Sequence, residues 1–255
     1  MSSLTHSYYS GASNAQIIYE TIGSYFDKIV DVHSTNPALV VRHQGVNWTY
    51  GELQARVDRL ATGLIHLGIK PGDRVGIWGP NSSEWVLVQL ATAKLGAIMV
   101  CINPAYRLYE LEYALNKVEC KTLITDVSFK TSDYLGMINP LAPELENSHS
   151  RQLEAEKLPH LKHVIRMGSD TTPGMHNFDA VCAAGTPDDQ ATMDALQAAL
   201  QPDDAINIQF TSGTTGNPKG ATLTHCNILN NGFLTGLAMQ LGPADKLCIP
   251  VPLYH

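Results

Sequence analysis

The sequence predicts an α/β fold of βαβ units on a mostly parallel sheet. Three observations carry that expectation. Short apolar strand-like runs at Arg74–Trp78, Ala97–Ile102 and Thr122–Thr125 alternate with segments of helical periodicity. The connections between them are short and punctuated by Gly79-Pro80, Gly96 and Asn103-Pro104. The run AIMVCI is almost continuously apolar, as a strand covered on both faces of a parallel sheet must be.

From Leu39, the segment VVRHQGVNWTY reads as a strand, a turn at Gln44-Gly45 and a second strand, the pattern of a hairpin. Thr49 stands three residues before Glu52, which suits a capping box, and Leu53, Val57, Leu60 and Leu64 recur at helical spacing until Gly68 and Pro71-Gly72 end the pattern. After the strand at Arg74–Trp78, Asn81 and Glu84 suit the capping of a helix that runs to about Leu95. Another helix is expected from about Leu108 to Lys117. Between about Thr131 and Gln201 the chain is rich in Pro, Gly, Ser, His and Asp, and only the stretches around His163-Val164-Ile165 and Met193 to Leu200 read as regular. The expected organisation is a first α/β region over about 39–130, an irregular connecting region over about 131–201, and a third region over about 202–255.

Composition excludes several classes. Of the 255 residues 44% are hydrophobic and 16% charged, enough apolar surface for a sizeable core. The formal charge of -7, from 17 basic and 24 acidic residues without a Lys/Arg cluster, argues against a nucleic-acid partner. The five cysteines are odd in number and widely spaced, and read as reduced, mostly buried thiols. No apolar run reaches the roughly 18 residues of a membrane span, and the start has no secretion pattern, so a cytoplasmic location is expected. The sequons at Asn47 and Asn81 are read as chance matches in turns.

The informative segment follows Pro202. An apolar run, AINIQF, reads as a strand and leads into Thr211-Ser212-Gly213-Thr214-Thr215-Gly216-Asn217-Pro218-Lys219-Gly220; a second strand, ATLT, and a helix capped by Thr224 or His225 come next. Glycines let backbone approach a ligand and turn several N–H groups the same way, hydroxyls add donors, and Lys219 adds positive charge. Such a loop suits phosphate oxygens. A Walker A loop requires Gly-Lys-Ser/Thr, whereas Lys219 is followed by Gly220 and Ala221, so the P-loop reading fails.

TSGTTGNPKG, with LTHCN after it and PLYH at the end, resembles the adenylate-forming (AMP-binding) superfamily, which includes acyl-CoA synthetases, firefly-type luciferases, coumarate-CoA ligases and peptide-synthetase adenylation domains. The resemblance covers about residues 20–255, and AKLGAIMVCINPAYRLYELEYALN is most similar to medium- and long-chain fatty acyl-CoA synthetases. It implies that Thr211, Ser212, Gly213, Thr214, Thr215, Gly216 and Lys219 bind the β- and γ-phosphates of ATP. It also implies that Tyr254-His255 lies at the edge of the acyl pocket, with His255 the second candidate residue. ATP, Mg2+ and coenzyme A are the implied cofactor and co-substrates, and a fatty acid is the implied acid. Family members continue past PLYH, so the resemblance further implies an incomplete large N-terminal domain without the C-terminal mobile domain. Such a fragment is expected to be inactive alone and prone to self-association through exposed surface. An aryl- or amino-acid-activating ligase and a non-catalytic nucleotide-binding or interaction module stay open as alternatives.

Other residues carry weaker signals. His160 and His163 have a spacing compatible with metal ligation on a helix, but a solvated loop is the expected setting. Trp48, Trp78 and Trp85 fit packing positions. For Lys94 and Arg107 the choice between ligand and solvent is left open.

Overall fold

Residues 15–148, 153–211 and 216–254 are described by the structure, a computed structural model. Thr21 caps the first helix, α1 (Ile22–His33), by accepting the Ser24 N–H. The hairpin of β1 (Pro37–Val41) and β2 (Val46–Thr49) turns through Arg42–Gln44 and through Gly45, whose φ of 67° suits a residue without Cβ. Thr49 and Glu52 form the expected capping box of α2 (Tyr50–His66), whose Leu53, Val57, Leu60 and Leu64 are buried. Next come β3 (Arg74–Trp78), α3 (Ser83–Leu95), β4 (Ile98–Ile102), α4 (Leu108–Lys117) and β5 (Thr122–Thr125). These match the sequence reading, with Gly96 in the left-handed region ending α3.

The start of α3 differs in detail. Ser82, not Asn81, is the N-cap residue, and it makes no side-chain cap bond. The carbonyl of Gln44 accepts the Ser83 N–H at 2.7 Å instead, while its amide donates to Glu84 at 2.8 Å. The hairpin turn therefore caps the helix, and Asn81 is released for another task.

The region from 131 to 201 is more regular than its composition suggests. A small hairpin, β6 (Ser128–Phe129) and β7 (Ser132–Asp133), leads into α5 (Tyr134–Ile138). Further on lie β8 (His163–Arg166), β9 (His176–Asn177), α6 (Phe178–Ala184) and α7 (Pro187–Ala199), before β10 (Ala205–Thr211), β11 (Lys219–Thr224) and α8 (His225–Ala238). Each of these shorter helices has a local start signal. Asp133 and Asn177 accept the N–H three residues on, and Thr186 forms a capping box with Asp189 just ahead of Pro187.

The main sheet has seven strands in the order β11-β10-β4-β3-β5-β8-β9, parallel throughout except for the β10–β11 pair. Alternate residues along the strands feed two cores. Val75, Ile77, Met99, Ile124 and Ile165 pack under α1, α2, α3, α6 and α7. Trp78, Val100, Ile102, Leu123, Val164 and Ile208 pack under α4, α5 and the chain between them and β8. Two covered faces explain why the strands read as nearly unbroken apolar runs. Strands 3 and 5 are neighbours, yet the chain leaves β3 toward β4 and leaves β5 toward β8, so a crevice opens beyond their carboxyl ends, the usual ligand position in such sheets.

Lys94 faces neither ligand nor solvent. Its side chain is 3% exposed, and its ammonium lies 2.7 Å from an Asp27 oxygen and 2.6 Å from an Asp58 oxygen. Gln54 and Gln197 donate to Asp27 as well, each at 2.7 Å, so one ammonium ties together α1, α2, α3 and α7. Burial works against ionisation of Asp27, but hydrogen bonds from Lys94, Gln54 and Gln197 outweigh it and hold that carboxyl below its ordinary value. At Asp58 burial wins over Lys94, and the carboxyl is raised. Removing the cation strands two partly buried carboxylates, so Lys94→Met is expected to cost about 3 kcal/mol in urea unfolding. A loss below about 1 kcal/mol would show that the network contributes only what an exposed ion pair does.

Candidate active site

The β10–β11 pair brings Thr211 and Lys219 directly opposite each other, with Phe210 opposite Gly220. The Thr211 hydroxyl donates to the Lys219 carbonyl at 3.4 Å, closing the base of the loop. Ser212, Gly213, Thr214 and Thr215 lie outside the described residues, as does His255. Gly216 has a φ of 149°, a backbone setting that side chains disfavour. Below the loop, α4 and the turn before it supply support. The Tyr113 hydroxyl donates to the Pro218 carbonyl at 3.3 Å, and the Tyr106 ring meets Phe210 edge to face with centroids 6.4 Å apart. Lys219 is exposed and makes no ion pair among the described residues. An exposed cation, a hydroxyl and glycine-permitted backbone thus stand at the carboxyl end of a strand inside the sheet.

Beyond the strand ends lies a cleft of about 760 Å³. Its walls come from the turns after β3 and β4, from the β6–β7 hairpin, and from the strap that carries Pro250, Pro252 and Tyr254. His43, Arg107 and Lys130 line it, and among the described residues no carboxylate does. Arg107, left open by the sequence, therefore faces this cleft, and its guanidinium reaches the Thr131 hydroxyl at 3.4 Å. Lys130 has a φ of 53°, a strained setting for a residue with a side chain, and its ammonium lies 5.1 Å from the Phe129 ring centroid. The turn after β4 is fixed by a buried aromatic pair: Trp78 and Tyr134 stack with centroids 4.0 Å apart and donate to the Asn103 and Pro104 carbonyls at 3.1 and 2.9 Å. Burial pushes the Tyr134 phenol up to about 12, so it stays a donor at any ordinary pH. Thr211, Gly216 and Lys219 are not among the residues lining this cleft.

Asn81 closes the far wall. Its amide nitrogen donates to the Val251 carbonyl at 2.9 Å, and its carbonyl accepts the Leu253 N–H at 2.7 Å. The sequence read Asn81 as a helix cap and left Arg107 open, while Tyr106, Tyr113, His43 and Lys130 went unread. The signal for Asn81 was present in the strap itself, where Pro250 and Pro252 lack N–H groups and leave few backbone partners.

The other candidates resolve as structure. Trp78 and Trp85 are buried, and Trp48 packs at the core margin beneath the Arg56 guanidinium, 4.5 Å from its centroid. His163 is buried on β8 rather than solvated, and shares a 3.2 Å hydrogen bond with His176 in place of any contact with His160. Among the described residues no group of three or more His, Cys, Asp or Glu side chains gathers as a metal site. No helix among them is long and apolar enough to cross a membrane. All five cysteines are free, and burial raises the thiols of Cys101, Cys120 and Cys182 to about 11, 12 and 12, which leaves them poor nucleophiles.

The LTHCN segment anchors the chain's early part. Thr224 forms a capping box with Asn227, and the buried His225 accepts the Ile22 N–H through Nδ1 at 3.1 Å. Burial depresses His225 and His163 from 6.5 to about 4. An unfolded imidazole binds a proton more readily than either, so their stabilisation is complete above 6.5 and is lost as pH falls toward 4. Urea unfolding is expected to weaken across that window with a slope approaching about 1.4 kcal/mol per pH unit for each imidazole. His225→Asn, which keeps an acceptor without titrating, should flatten that slope; an unchanged profile would exclude His225 as a source.

A parallel sheet with a crevice at its carboxyl edge, and a glycine- and threonine-rich connection between β10 and β11, define an α/β fold of the kind that binds ligands beyond its strand ends. The comparisons with known proteins narrow it: residues 26–255 match the family described as AMP-binding enzyme, and the chain belongs to that family. It is 44% identical over 254 residues to the mitochondrial medium-chain acyl-CoA ligase ACSF2 of Rattus norvegicus, an alignment that takes in 98% of this chain and 41% of the rat protein. The acetoacetyl-CoA synthetase of Streptomyces lividans shares its fold with a TM-score of 0.76 at 24% identity, over 92% of this chain and 35% of that one. The N-terminal domain of FACL13 from Mycobacterium tuberculosis gives a TM-score of 0.73 at 25% identity, over 92% of this chain and 52% of that one.

Proposed function

We propose that this chain forms the phosphate-binding part of an AMP-forming acid-CoA ligase that activates a fatty acid. The observation that carries the reading is the loop base, where Thr211 and Lys219 face each other at the two ends of a glycine- and threonine-rich connection. The rat relative's name, a medium-chain acyl-CoA ligase, supports a fatty acid as the substrate. In this reading Thr211, Ser212, Gly213, Thr214, Thr215, Gly216 and Lys219 hold the β- and γ-phosphates of ATP, and Tyr254-His255 borders the acid.

The chemistry then needs no side-chain nucleophile. A carboxylate oxygen attacks the α-phosphorus, the bond to the bridging oxygen breaks, and pyrophosphate leaves with the electron pair. Charge gathers on the leaving oxygens, where donors fixed in advance by the β10–β11 base lower the barrier. The thiolate of coenzyme A next attacks the acyl carbon of the adenylate and expels AMP, giving the thioester. Mg2+, bound with the ATP phosphates, would neutralise part of their charge.

The chain spans 41% of the rat ligase, so turnover is proposed for a ligase of which these residues form one part. The 255 residues alone are expected to be inert. Leu234, Leu237, Leu247 and Ile249 stay exposed, which favours self-association of the isolated chain. The cytoplasm is the compartment proposed from the sequence, and fractionation against the mitochondrial placement in the rat relative's name tests it.

Pyrophosphate exchange and acyl-CoA formation by the protein carrying its complete reading frame test the activity. Fatty acids should support both, and Lys219→Ala should lower the rate about a hundredfold. A preference for aromatic or amino acids would sink the fatty-acid assignment, and saturable ATP binding with no turnover on any acid would favour a binding module.

A further inference from the structure

We infer that Asn81 is a positioning residue for acid recognition: its side-chain amide clamps the Val251–Leu253 strap and thereby sets Tyr254 in the cleft wall. The inference rests on the ligase reading above, and the contacts behind it are independent of that reading.

The strap is unable to hold itself. Pro250 and Pro252 have no N–H to donate, and each restricts the residue before it to extended conformations, so the segment IPVPLY joins neither helix nor sheet ladder. Its remaining polar backbone groups need a partner shaped like a peptide unit. A primary amide is such a partner, with one donor and one acceptor on the same planar group. Asn81 uses both, donating to the Val251 carbonyl at 2.9 Å and accepting the Leu253 N–H at 2.7 Å. These contacts span 170 and 172 positions of the sequence, so they fix tertiary placement rather than a local turn.

Asn81 is itself held rigidly. It follows Gly79-Pro80 at the carboxyl end of β3, a strand paired on both sides. Because Gln44 caps α3, the Asn81 side chain has no duty at the helix start. The clamp therefore transmits the position of the central sheet to the strap. Leu253 and Tyr254 pack against the core on the α3 side, and Tyr254 also lines the cleft. An acid lying along that wall meets a surface whose backbone the Asn81 amide holds in place.

Chemistry separates this role from simple packing. Asn81→Asp keeps an acceptor for the Leu253 N–H but turns a second acceptor toward the Val251 carbonyl. Asn81→Ala removes both bonds. Hydrogen exchange by mass spectrometry on the 255-residue chain should show peptides covering 249–254 losing protection about tenfold in Asn81→Ala, while peptides from α3 keep theirs. In Asn81→Asp the same peptides should fall between the wild type and Asn81→Ala. On the protein with its complete reading frame, KM for the acid should rise about tenfold in Asn81→Ala with KM for ATP unchanged, since neither Thr211 nor Lys219 lines the cleft that the clamp borders.

Unchanged exchange at 249–254 in both variants overturns the clamp. Loosened exchange with an unchanged acid KM overturns the positioning role. If Asn81→Ala loses protection throughout, Asn81→Asp decides, because its retained acceptor must leave α3 intact and the strap intermediate; global loss there as well overturns the inference. Absence of ligase activity in the unsubstituted protein would fail the functional reading alone, with the exchange result still deciding the clamp.

Discussion

Parallel hydrogen bonding among β10, β4, β3 and β5 is the constraint on which the rest depends. Parallel neighbours end on the same edge of a sheet, so the turns after four different strands are forced into one neighbourhood. The glycine- and threonine-rich loop follows β10, Asn81 follows β3, the Asn103-Pro104 turn and Arg107 follow β4, and the Lys130 hairpin follows β5. None of these segments is near another in sequence. Only the sheet gathers them, and it does so before any side chain contributes chemistry.

Keeping that edge ordered requires the strands to be covered on both sides. The two covering layers solve the task differently. On the α4 side the cover is apolar and aromatic, and the Trp78–Tyr134 pair serves both as core and as prop for the cleft floor. On the α3 side the apolar contacts meet a charged knot at Lys94, which no helix of the layer satisfies alone. A greasy layer tolerates small slips between helices, whereas an ammonium shared by two carboxylates accepts few arrangements. The second layer is thus specified more narrowly, and it is the one against which Leu253 and Tyr254 rest.

Much of this was legible in the residues. Local signals were read well where they were strong: Thr49 with Glu52, Gly96 after α3, and the uninterrupted AIMVCI run all appear as expected. The loop from Thr211 to Gly220 pointed to the family by order and spacing. What escaped reading was either weakly patterned or non-local. Helix α6 and the first half of α7 lie in a segment crowded with Pro, Gly and Asp, so composition masked the caps at Asn177 and Thr186, and only the end of α7 was read as regular. Lys94 looks like an ordinary charge at the end of a helix, and its partners stand 67 and 36 positions away. Asn81 looks like a helix cap because asparagine usually is one in that setting, and only the competing bond from Gln44 shows otherwise. Periodicity carries no information about such pairings.

The antiparallel register of β10 with β11 separates two properties of the loop that a sequence motif runs together. Its base is set by strand pairing, with Thr211 opposite Lys219 whatever the intervening chain does. A residue gained or lost between them changes reach alone, while a residue gained within β11 turns every following side chain to the opposite face. Evolutionary variation in loop length and variation in strand length are therefore unequal events here: the first changes how far the loop extends from its base, and the second reverses the direction in which the strand presents its side chains.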